Sequence, residues 1–252
     1  MTNQVLRTHH VAEAVGVHAN TIRLYEEQGF LFPVPRDANG YRRYSLTDIE
    51  QVRLVRLALQ WPYLGDKNLL LDLVTRAAGG DLGMAMELAY QYLARVRVER
   101  TYAEAAFEFL ERWAAGYVLD LSRERVTIGV AAARLNVSVD MLRSWERNGL
   151  IAVPRDPGNQ YRRYGAVEFG RLRVIRTLAQ AGYSQMAILT MLRRVDSGNT
   201  ADLRSALDLP PDDEASIYTV ADRWLSTLAE LEQRAQAIIR QVGLLIERCH
   251  CR

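Results

Sequence analysis

Cysteine is scarce in this sequence, with two residues among 252, both within the last four positions. So few cysteines exclude a disulfide framework. Long apolar runs are lacking as well, and no secretory signal opens the chain. We therefore expect no membrane span and a cytoplasmic location. The net charge is only +2, which is low for a protein that binds a polyanion.

The patterns of an enzyme active site are missing too. The sequence has no nucleophile–base pair, no glycine-rich phosphate loop and no closed set of metal ligands. Each of these arrangements supplies a specific chemistry, so their absence argues against catalysis. We expect a protein that is not an enzyme, and we predict no cofactor.

What the sequence does contain is one long stretch that occurs twice. The first copy runs from about Val5 to Tyr63, and the second from about Arg125 to Tyr183. Both contain the tetrapeptide Tyr-Arg-Arg-Tyr, at residues 41–44 and 161–164, and most matching positions lie 120 residues apart. An internal repeat of this length predicts two copies of one folded unit.

Each copy has the pattern of a helix-turn-helix followed by a hairpin, the wing. Gly16 is placed to end the first helix in the left-handed conformation, and Asn136 stands at the matching position. The second helix, termed the reading helix, is predicted from about Asn20 to Gln28 and from about Ser138 to Arg147. A tight turn between two helices can place the second in the major groove of DNA, and paired arginines on a wing suit phosphate oxygens.

Charge is divided unevenly between the copies. Residues 1–75 carry eight basic and eight acidic side chains, whereas residues 121–195 carry thirteen basic and five acidic ones. The second copy therefore has the stronger electrostatic attraction for nucleic acid. The alternative is that the first copy has lost DNA binding and serves as a scaffold.

Both copies resemble the DNA-binding domain of the MerR family of bacterial transcription regulators. The family pattern of T-(I/L)-R-x-Y-E-x-x-G-L, then P-x-R, then G-Y-R-x-Y is matched almost throughout by the first copy, VHANTIRLYEEQGFLFPVPRDANGYRRYSLTDIEQVRLV. The second copy departs from it, with Trp145 replacing the tyrosine and Gln160 replacing the glycine. The resemblance implies two winged helix-turn-helix domains in a two-fold arrangement, joined by an antiparallel coiled coil. It also implies control of transcription by distortion of promoter DNA.

A long helix is predicted after each copy, over about Met84–Tyr117 and about Ile217–Cys249. The first carries the apolar residues Leu88, Tyr92, Val96, Tyr102, Ala106, Phe109 and Trp113. In the second, apolar residues recur in steps of four and three, the pattern of a coiled coil; they are Ile217, Ala221, Trp224, Leu228, Leu231, Ala235, Ile238, Val242 and Leu245. Their matched lengths favour pairing within one chain, which would give a monomeric pseudo-dimer. The alternative is a homodimer with four DNA-binding units.

The predicted fold is mainly α, with two winged helix-turn-helix domains whose wings are small β-hairpins. Long helices forming an antiparallel coiled coil join these domains. We place the first DNA-binding domain at residues 1–75, and a connector with the first long helix at 76–120. The second DNA-binding domain follows at 121–196, and a linker with the C-terminal coiled-coil helix occupies 197–252.

The residues expected to contact DNA are carried over from the family pattern. On the reading helices they are Asn20, Thr21, Arg23 and Tyr25, and Asp140, Arg143 and Trp145. On the wings they are Arg36, Tyr41, Arg42 and Arg43, and Arg155, Tyr161, Arg162 and Arg163. An arginine on a reading helix can bond a guanine edge, which is worth about 1–3 kcal/mol of discrimination. Differences such as Asn20 versus Asp140 predict an imperfect palindrome as the binding site.

The function implied by the resemblance is sequence-specific regulation of transcription at two half-sites of double-stranded promoter DNA, with RNA polymerase as a partner. One alternative is an architectural, excisionase-like protein that bends DNA without a promoter role. Another is a metal- or ligand-sensing homodimer. Cys249, His250 and Cys251 are weak candidates for binding zinc or copper(I), since thiolate and imidazole suit both ions; the preferred interpretation of this tail is a solvated terminus.

Overall fold

Helices dominate the computed structural model, which describes residues 6–117, 124–200, 203 and 223–250. This confirms the prediction of a mainly helical fold. No β-strand occurs in the described ranges, where extended segments meet only as isolated antiparallel bridges. The segments predicted as hairpin wings are therefore held by the single bridges Arg36–Arg42 and Arg155–Arg162. No helix within these ranges is long and apolar enough to cross a membrane.

The described helices follow the internal repeat. The first copy and the residues after it contain α1 (Thr8–Val15), α2 (Ala19–Glu27), α3 (Leu46–Leu59), α4 (Asn68–Ala78) and the long α5 (Leu82–Ala114). The second copy and the residues after it contain α6 (Ile128–Leu135), α7 (Val139–Arg147), α8 (Ala166–Gln180), α9 (Gln185–Asp196) and the long α10 (Trp224–His250). Helices α4 and α9 lie in segments for which no helix was predicted.

The turn between the first two helices forms as the sequence indicates. Gly16 ends α1 with φ 65°, and Asn136 ends α6 with φ 49°, both in the left-handed region. The reading helices α2 and α7 then begin on side-chain caps. His18 Nδ1 accepts a hydrogen bond from the backbone N–H of Asn20, and Ser138 Oγ accepts one from Met141. These caps satisfy backbone donors that a helix leaves unpaired in its first turn.

Matching positions form the core of each copy. In the first copy the buried apolar residues of the helix-turn-helix and of α3 are Val11, Ala12, Val15, Ile22, Val52 and Val55. In the second copy the matching residues, also buried, are Ala131, Ala132, Leu135, Leu142, Leu172 and Ile175. Burying one face of each reading helix in this way fixes which residues the opposite face presents to solvent.

The chain divides into two compact units. The first comprises Met1–Val98 and Ala229–Arg252, and the second comprises Glu99–Leu228. Each unit thus contains one copy of the repeat together with part of the long helix that follows the other copy. In the first unit this is most of α10, and in the second it is the C-terminal half of α5.

The apolar residues predicted along α10 are buried from Leu228 to Leu245, and Trp224 is half-buried. Those with no exposed surface are Leu228, Leu231, Ala235, Ile238, Val242 and Leu245; Ile217 and Ala221 lie outside the described residues. On α5 the apolar pattern is less regular, since 61% of Tyr102 is exposed and the adjacent Ala103 is buried. Ala103 continues toward Phe107 and Leu110 in helical steps of four and three, whereas Tyr102 lies one position off that face.

Within the first unit, α5 and α10 run in opposite directions. Arg97 Nε lies 2.9 Å from Glu232 Oε1. A Cβ atom added at Gly243 would lie 4.0 Å from Met86 Cε. Met86 precedes Arg97 on α5 by as many residues as Gly243 follows Glu232 on α10. The two helix segments are therefore antiparallel in this unit.

Candidate nucleic-acid interface

The reading helices expose an arginine at the same place in each copy. Arg23 and Arg143 are exposed on the face opposite to the core. Arg23 Nη1 donates to Asn20 Oδ1, and Arg143 Nη1 donates to Asp140 Oδ1, both at 3.1 Å. Each guanidinium is thus held toward the first turn of its helix. The partner is a neutral amide in the first copy and a carboxylate in the second, so Arg143 forms an ion pair and Arg23 forms none with the residues that the structure describes.

The aromatic residue of the reading helix has a different environment in each copy. Only 3% of Trp145 is exposed, so its indole belongs to the core, and this burial argues against the predicted contact with DNA. The bulky side chain fills space between the reading helix and the rest of the copy. Tyr25, at the matching position, is half-buried, and burial raises the pKa of its hydroxyl above the usual value. Thr21 is likewise half-buried.

A glutamate ties each wing to its reading helix. In the first copy Arg42 Nε donates to Glu26 Oε2, and Arg36 Nη2 lies 4.0 Å from Glu26 Oε1. The same arrangement in the second copy joins Arg162 Nε to Glu146 Oε2 at 2.5 Å. Arg42 and Arg162 were predicted to contact DNA, and the structure gives each of them an internal partner as well. The matching of Glu26 with Glu146 in the repeat was the available signal for this link.

At the wing the two copies pair different side chains. Arg7 Nη1 donates to Asp37 Oδ2 at 2.7 Å, which leaves Arg43 exposed and without an ion pair to any described residue. In the second copy Asp156 instead accepts from Arg163, with Nε and Nη2 at 3.2 and 3.1 Å. The second arginine of the Tyr-Arg-Arg-Tyr motif is therefore available to a ligand in the first copy and engaged in the second.

Both wing aspartates have a lowered pKa, for different principal reasons. The hydrogen bond from Arg7 is the largest cause that lowers the pKa of Asp37. For Asp156 the largest cause is the hydrogen bond from the backbone N–H of Gly158, and Arg163 adds to it. Hydrogen bonds to the charged form of a carboxyl favour ionisation. Both aspartates therefore hold the wing turn as carboxylates.

Each wing exposes a tyrosine. Tyr41 is 63% exposed and Tyr161 is 67% exposed. The Arg7 guanidinium lies over the Tyr41 ring, 5.3 Å from its centroid. Arg36 and Arg155 each donate to a backbone carbonyl of their own wing, at 3.4 and 3.2 Å. The predicted wing residues thus lie together on one exposed surface in each copy.

Another pair of matched arginines stabilises the helix-turn-helix itself. Arg56 Nη1 on α3 donates to the carbonyl of Val15, and Arg176 Nη1 on α8 donates to the carbonyl of Leu135 at 2.6 Å. These carbonyls belong to the last turns of α1 and α6, where helices leave acceptors unpaired. The two arginines position the turn before the reading helix, a role that only their place in the repeat indicates in the sequence.

Two family models match the chain. One, described as "MerR family regulatory protein", matches residues 10–44, and the other, described as "MerR HTH family regulatory protein", matches residues 126–195. The chain belongs to the MerR family. It contains two tandem MerR-type domains, which include the reading helix and wing of each copy.

Curated relatives of this MerR-family chain include regulators with known names. It is 29% identical to the mercuric resistance operon regulatory protein of Serratia marcescens, over 45% of this chain and 78% of that protein. It is 33% identical to the protein of that name from Pseudomonas fluorescens, over 32% of this chain and 57% of the relative. The HTH-type transcriptional regulator CueR of Escherichia coli O157:H7 is 40% identical over 20% of this chain and 37% of CueR. No solved structure matches the chain.

The C-terminal tail of the MerR-family chain is only partly described. Cys249 is a half-buried free thiol, whereas the side chain of His250 and all of Cys251 lie outside the described residues. Within residues 6–117, 124–200 and 223–249, no three His, Cys, Asp or Glu side chains are grouped so that they could hold a metal ion. Metal binding by the tail stays a prediction without a test.

Proposed function

We propose that the chain is a sequence-specific transcription regulator that binds two half-sites of promoter DNA as an intramolecular pseudo-dimer. The paired reading helices, each with an exposed arginine, support DNA reading by both copies. The names of the relatives support regulation of transcription. In this proposal the single-bridge wings act as the wings of winged helix-turn-helix domains. The long helices act as the antiparallel coiled coil that joins them.

The observation that carries the pseudo-dimer is the contact of each copy with the long helix that follows the other copy. In the first unit, Gln241 Nε2 on α10 donates to Glu50 Oε2 at 2.8 Å, and Arg248 Nη2 lies 3.3 Å from Glu50 Oε1. Arg234 Nη1, also on α10, donates to the carbonyl of Gln60 at 2.7 Å. These contacts attach the helix after the second copy to α3 of the first.

The second unit has the reciprocal contact. A Cβ atom added at Gly170 on α8 would lie 3.1 Å from Trp113 Nε1 on α5. Tyr183 donates through its hydroxyl to the carbonyl of Ala103, also on α5, at 3.2 Å. A homodimer would make this exchange of helices between two chains. Here one chain contains both halves of the exchange, which supports a complete two-domain reader without a second chain.

The proposed action on promoter DNA is to bind both half-sites and to distort the duplex between them, with RNA polymerase as the partner at the promoter. Smooth bending of a site of this size costs about 1–6 kcal/mol. Phosphate contacts from two wings can supply free energy of that order, because each arginine–phosphate pair is a charge-assisted bond. No metal or cofactor enters this proposal.

Light scattering of the purified chain, free and bound to a duplex selected from a random library, tests the proposal. We expect a mass near 28.6 kDa for the free chain and one chain per duplex. Twice that mass would refute the pseudo-dimer. A selection that enriched no sequence would refute specific recognition.

A second experiment assigns each half-site to a copy. Arg23→Ala and Arg143→Ala should each weaken specific binding by about 1–3 kcal/mol and relax selectivity in one half-site only. Selection repeated with each variant identifies the half-site that has become degenerate. Relaxation of the same half-site by both variants would contradict two independent readers.

A further inference from the structure

A cavity of about 380 Å³ opens on the first copy, between the start of α1, the start of α2 and the wing. Its lining includes Arg7, Thr8, His9, Arg23, Tyr41 and Arg42. Three of these residues are arginines. Arg7 lies directly before α1, Arg23 lies on α2, and Arg42 lies in the wing. The remaining polar groups are a hydroxyl, an imidazole and a phenol.

The carboxylates that bind two of these arginines do not line the cavity. Asp37 accepts from Arg7, and Glu26 accepts from Arg42, but neither acid is a lining residue. Their effect is to hold the two guanidinium groups in place. An arginine forms several N–H bonds at once, so Arg7 and Arg42 can bind these acids and still donate into the cavity.

We propose that this cavity binds a phosphate group of the DNA backbone, and that Arg7 is therefore a DNA-contacting residue of the first copy. The inference rests on the proposed function. Guanidinium forks match the geometry of phosphate oxygens, and the N-terminal ends of α1 and α2 favour a negative charge beside them. The cavity lies next to Arg23 of the reading helix and Tyr41 of the wing. A backbone segment that passes between the contacts of these two elements reaches it.

The second copy lacks the arginine and the imidazole that line the α1 side of this cavity. Thr127, Ile128 and Gly129 stand at the positions of Arg7, Thr8 and His9. The remaining polar lining residues Arg23, Tyr41 and Arg42 are matched by Arg143, Tyr161 and Arg162, respectively. The phosphate anchor therefore belongs to one copy, although that copy has no net positive charge.

The salt dependence of DNA binding tests the inference, because each phosphate neutralised by a protein cation contributes about 0.9 to the slope of log K against log salt. We expect Arg7→Gln to lower the slope by about 0.9 and to weaken binding to the selected duplex and to an unrelated duplex alike. Thr127→Ala, at the matching position of the second copy, should leave the slope unchanged. A wild-type slope in Arg7→Gln would overturn the inference.

Arg7→Gln also removes the ion pair with Asp37, so a second variant separates contact from positioning. Asp37→Asn breaks the same ion pair and keeps the charge of Arg7, and an asparagine oxygen can still accept the wing N–H bonds that Asp37 Oδ1 accepts. We expect Asp37→Asn to retain the wild-type slope. An equal loss in both variants would show that Arg7 only shapes the wing, and the assignment to phosphate would fall.

The source of the phosphate is tested with inorganic phosphate and calorimetry. Binding of inorganic phosphate at micromolar concentration, lost in Arg7→Gln while the DNA salt slope stays at its wild-type value, would indicate a small phosphate compound and would overturn the DNA assignment. A reduced DNA slope in Arg7→Gln supports it. If the wild-type chain bound no duplex, the proposed function would fail first. If the wild type bound DNA and Arg7→Gln matched it, only this inference would fail.

Discussion

The two copies carry the same wing arginines, but their wing aspartates bind different cations. In the first copy Asp37 binds Arg7 and Arg43 stays exposed, whereas in the second Asp156 binds Arg163. The copy with the larger excess of basic residues thus engages its second wing arginine internally. Net charge predicts long-range attraction to DNA, and which cation can reach a phosphate depends on the local acid partner.

A second difference concerns the face of α3 and α8 that packs on a long helix. Glu50 on α3 accepts hydrogen bonds from Gln241, and only 7% of its side chain is exposed. The matching residue on α8 is Gly170, which leaves room for Trp113. At this position the first unit therefore has a hydrogen-bonded carboxylate, whereas the second unit has a glycine. Two equivalent helices have become specific for different partners.

The largest expected change is a loss of folding stability when the matching residues Glu50 and Gly170 are made alike. Gly170→Glu would place a carboxylate against the Trp113 indole, and overpacking together with an unpaired buried charge costs about 4 kcal/mol or more. Glu50→Gly removes the acceptor for Gln241 and Arg248 and should cost about 3 kcal/mol. Urea unfolding followed by circular dichroism measures both. Gly170→Ala is the control, with a much smaller loss; equal losses for alanine and glutamate would mean that charge is irrelevant there.

The next effect distinguishes the aromatic positions of the reading helices. Trp145→Ala should destabilise the second unit by about 3–5 kcal/mol, since it empties a buried site. Trp145→Phe, with Tyr25→Phe as its match in the first copy, should keep most of the stability and nearly all of the DNA affinity. Thermal unfolding and a DNA titration on the same samples test this. If a stable Trp145→Phe variant bound DNA as weakly as Arg143→Ala, the result would indicate that the indole contacts DNA directly.

A smaller effect, on the salt dependence of DNA binding, is expected from substituting the second arginine of each Tyr-Arg-Arg-Tyr motif. Arg43→Gln should lower the slope of log K against log salt by about 0.9, because no acid in the described part of the chain pairs with that guanidinium. Arg163→Gln should lower it less, because Asp156 accepts from both Nε and Nη2 of Arg163, whereas Asp37 accepts from Arg7 through Nη1 alone. Filter binding over a range of salt concentrations gives both slopes.

A double substitution sharpens that wing comparison. In an Asp156→Asn background, Arg163 has lost its ionic partner, so adding Arg163→Gln should cost as much slope as Arg43→Gln does in the wild type. If the cost of Arg163→Gln were the same with and without Asp156, the ion pair would have no influence on DNA binding.

The smallest effect is on acid titration of the wing aspartates. Arg7→Gln should raise the pKa of Asp37 toward its usual value of 3.8. Arg163→Gln should raise the pKa of Asp156 less, because the Gly158 N–H remains as the largest cause. Both folded pKa values lie below 3.8, so the interactions stabilise the fold above that pH and the contribution is lost as pH falls through the folded pKa. NMR titration of the carboxyl carbons checks it; a larger rise for Asp156 would reverse the ranking of causes.

Local features of the fold were readable from the sequence because they depend on neighbouring residues. Gly16 and Asn136 end their helices as predicted, and the steps of four and three along α10 identify its buried face. Because the two copies match, a feature recognised in one copy could be assigned to the same position in the other. The helices α4 and α9 were missed, although Ser184 caps α9 through Oγ and the buried residues of α4 recur in helical steps.

The parts of the candidate site that sequence reasoning missed depend on residues far apart in the chain. Arg7 meets Asp37, and Glu50 meets Gln241 across 191 positions. No spacing rule connects such residues, since packing of helices brings them together. The burial of Trp145 has a related cause. The family pattern locates the residue on the reading helix, and only the three-dimensional packing decides that its side chain turns inward.

Gly170 and Glu50 also bear on how the gene can change. Tandem repeats in one gene are subject to recombination that copies one repeat onto the other and makes them identical. Copying the first onto the second would put a glutamate against Trp113. The reverse would leave Gln241 and Arg248 on α10 without their carboxylate. Either event yields a less stable protein, so selection for folding removes homogenised genes and lets the two repeats accumulate separate changes.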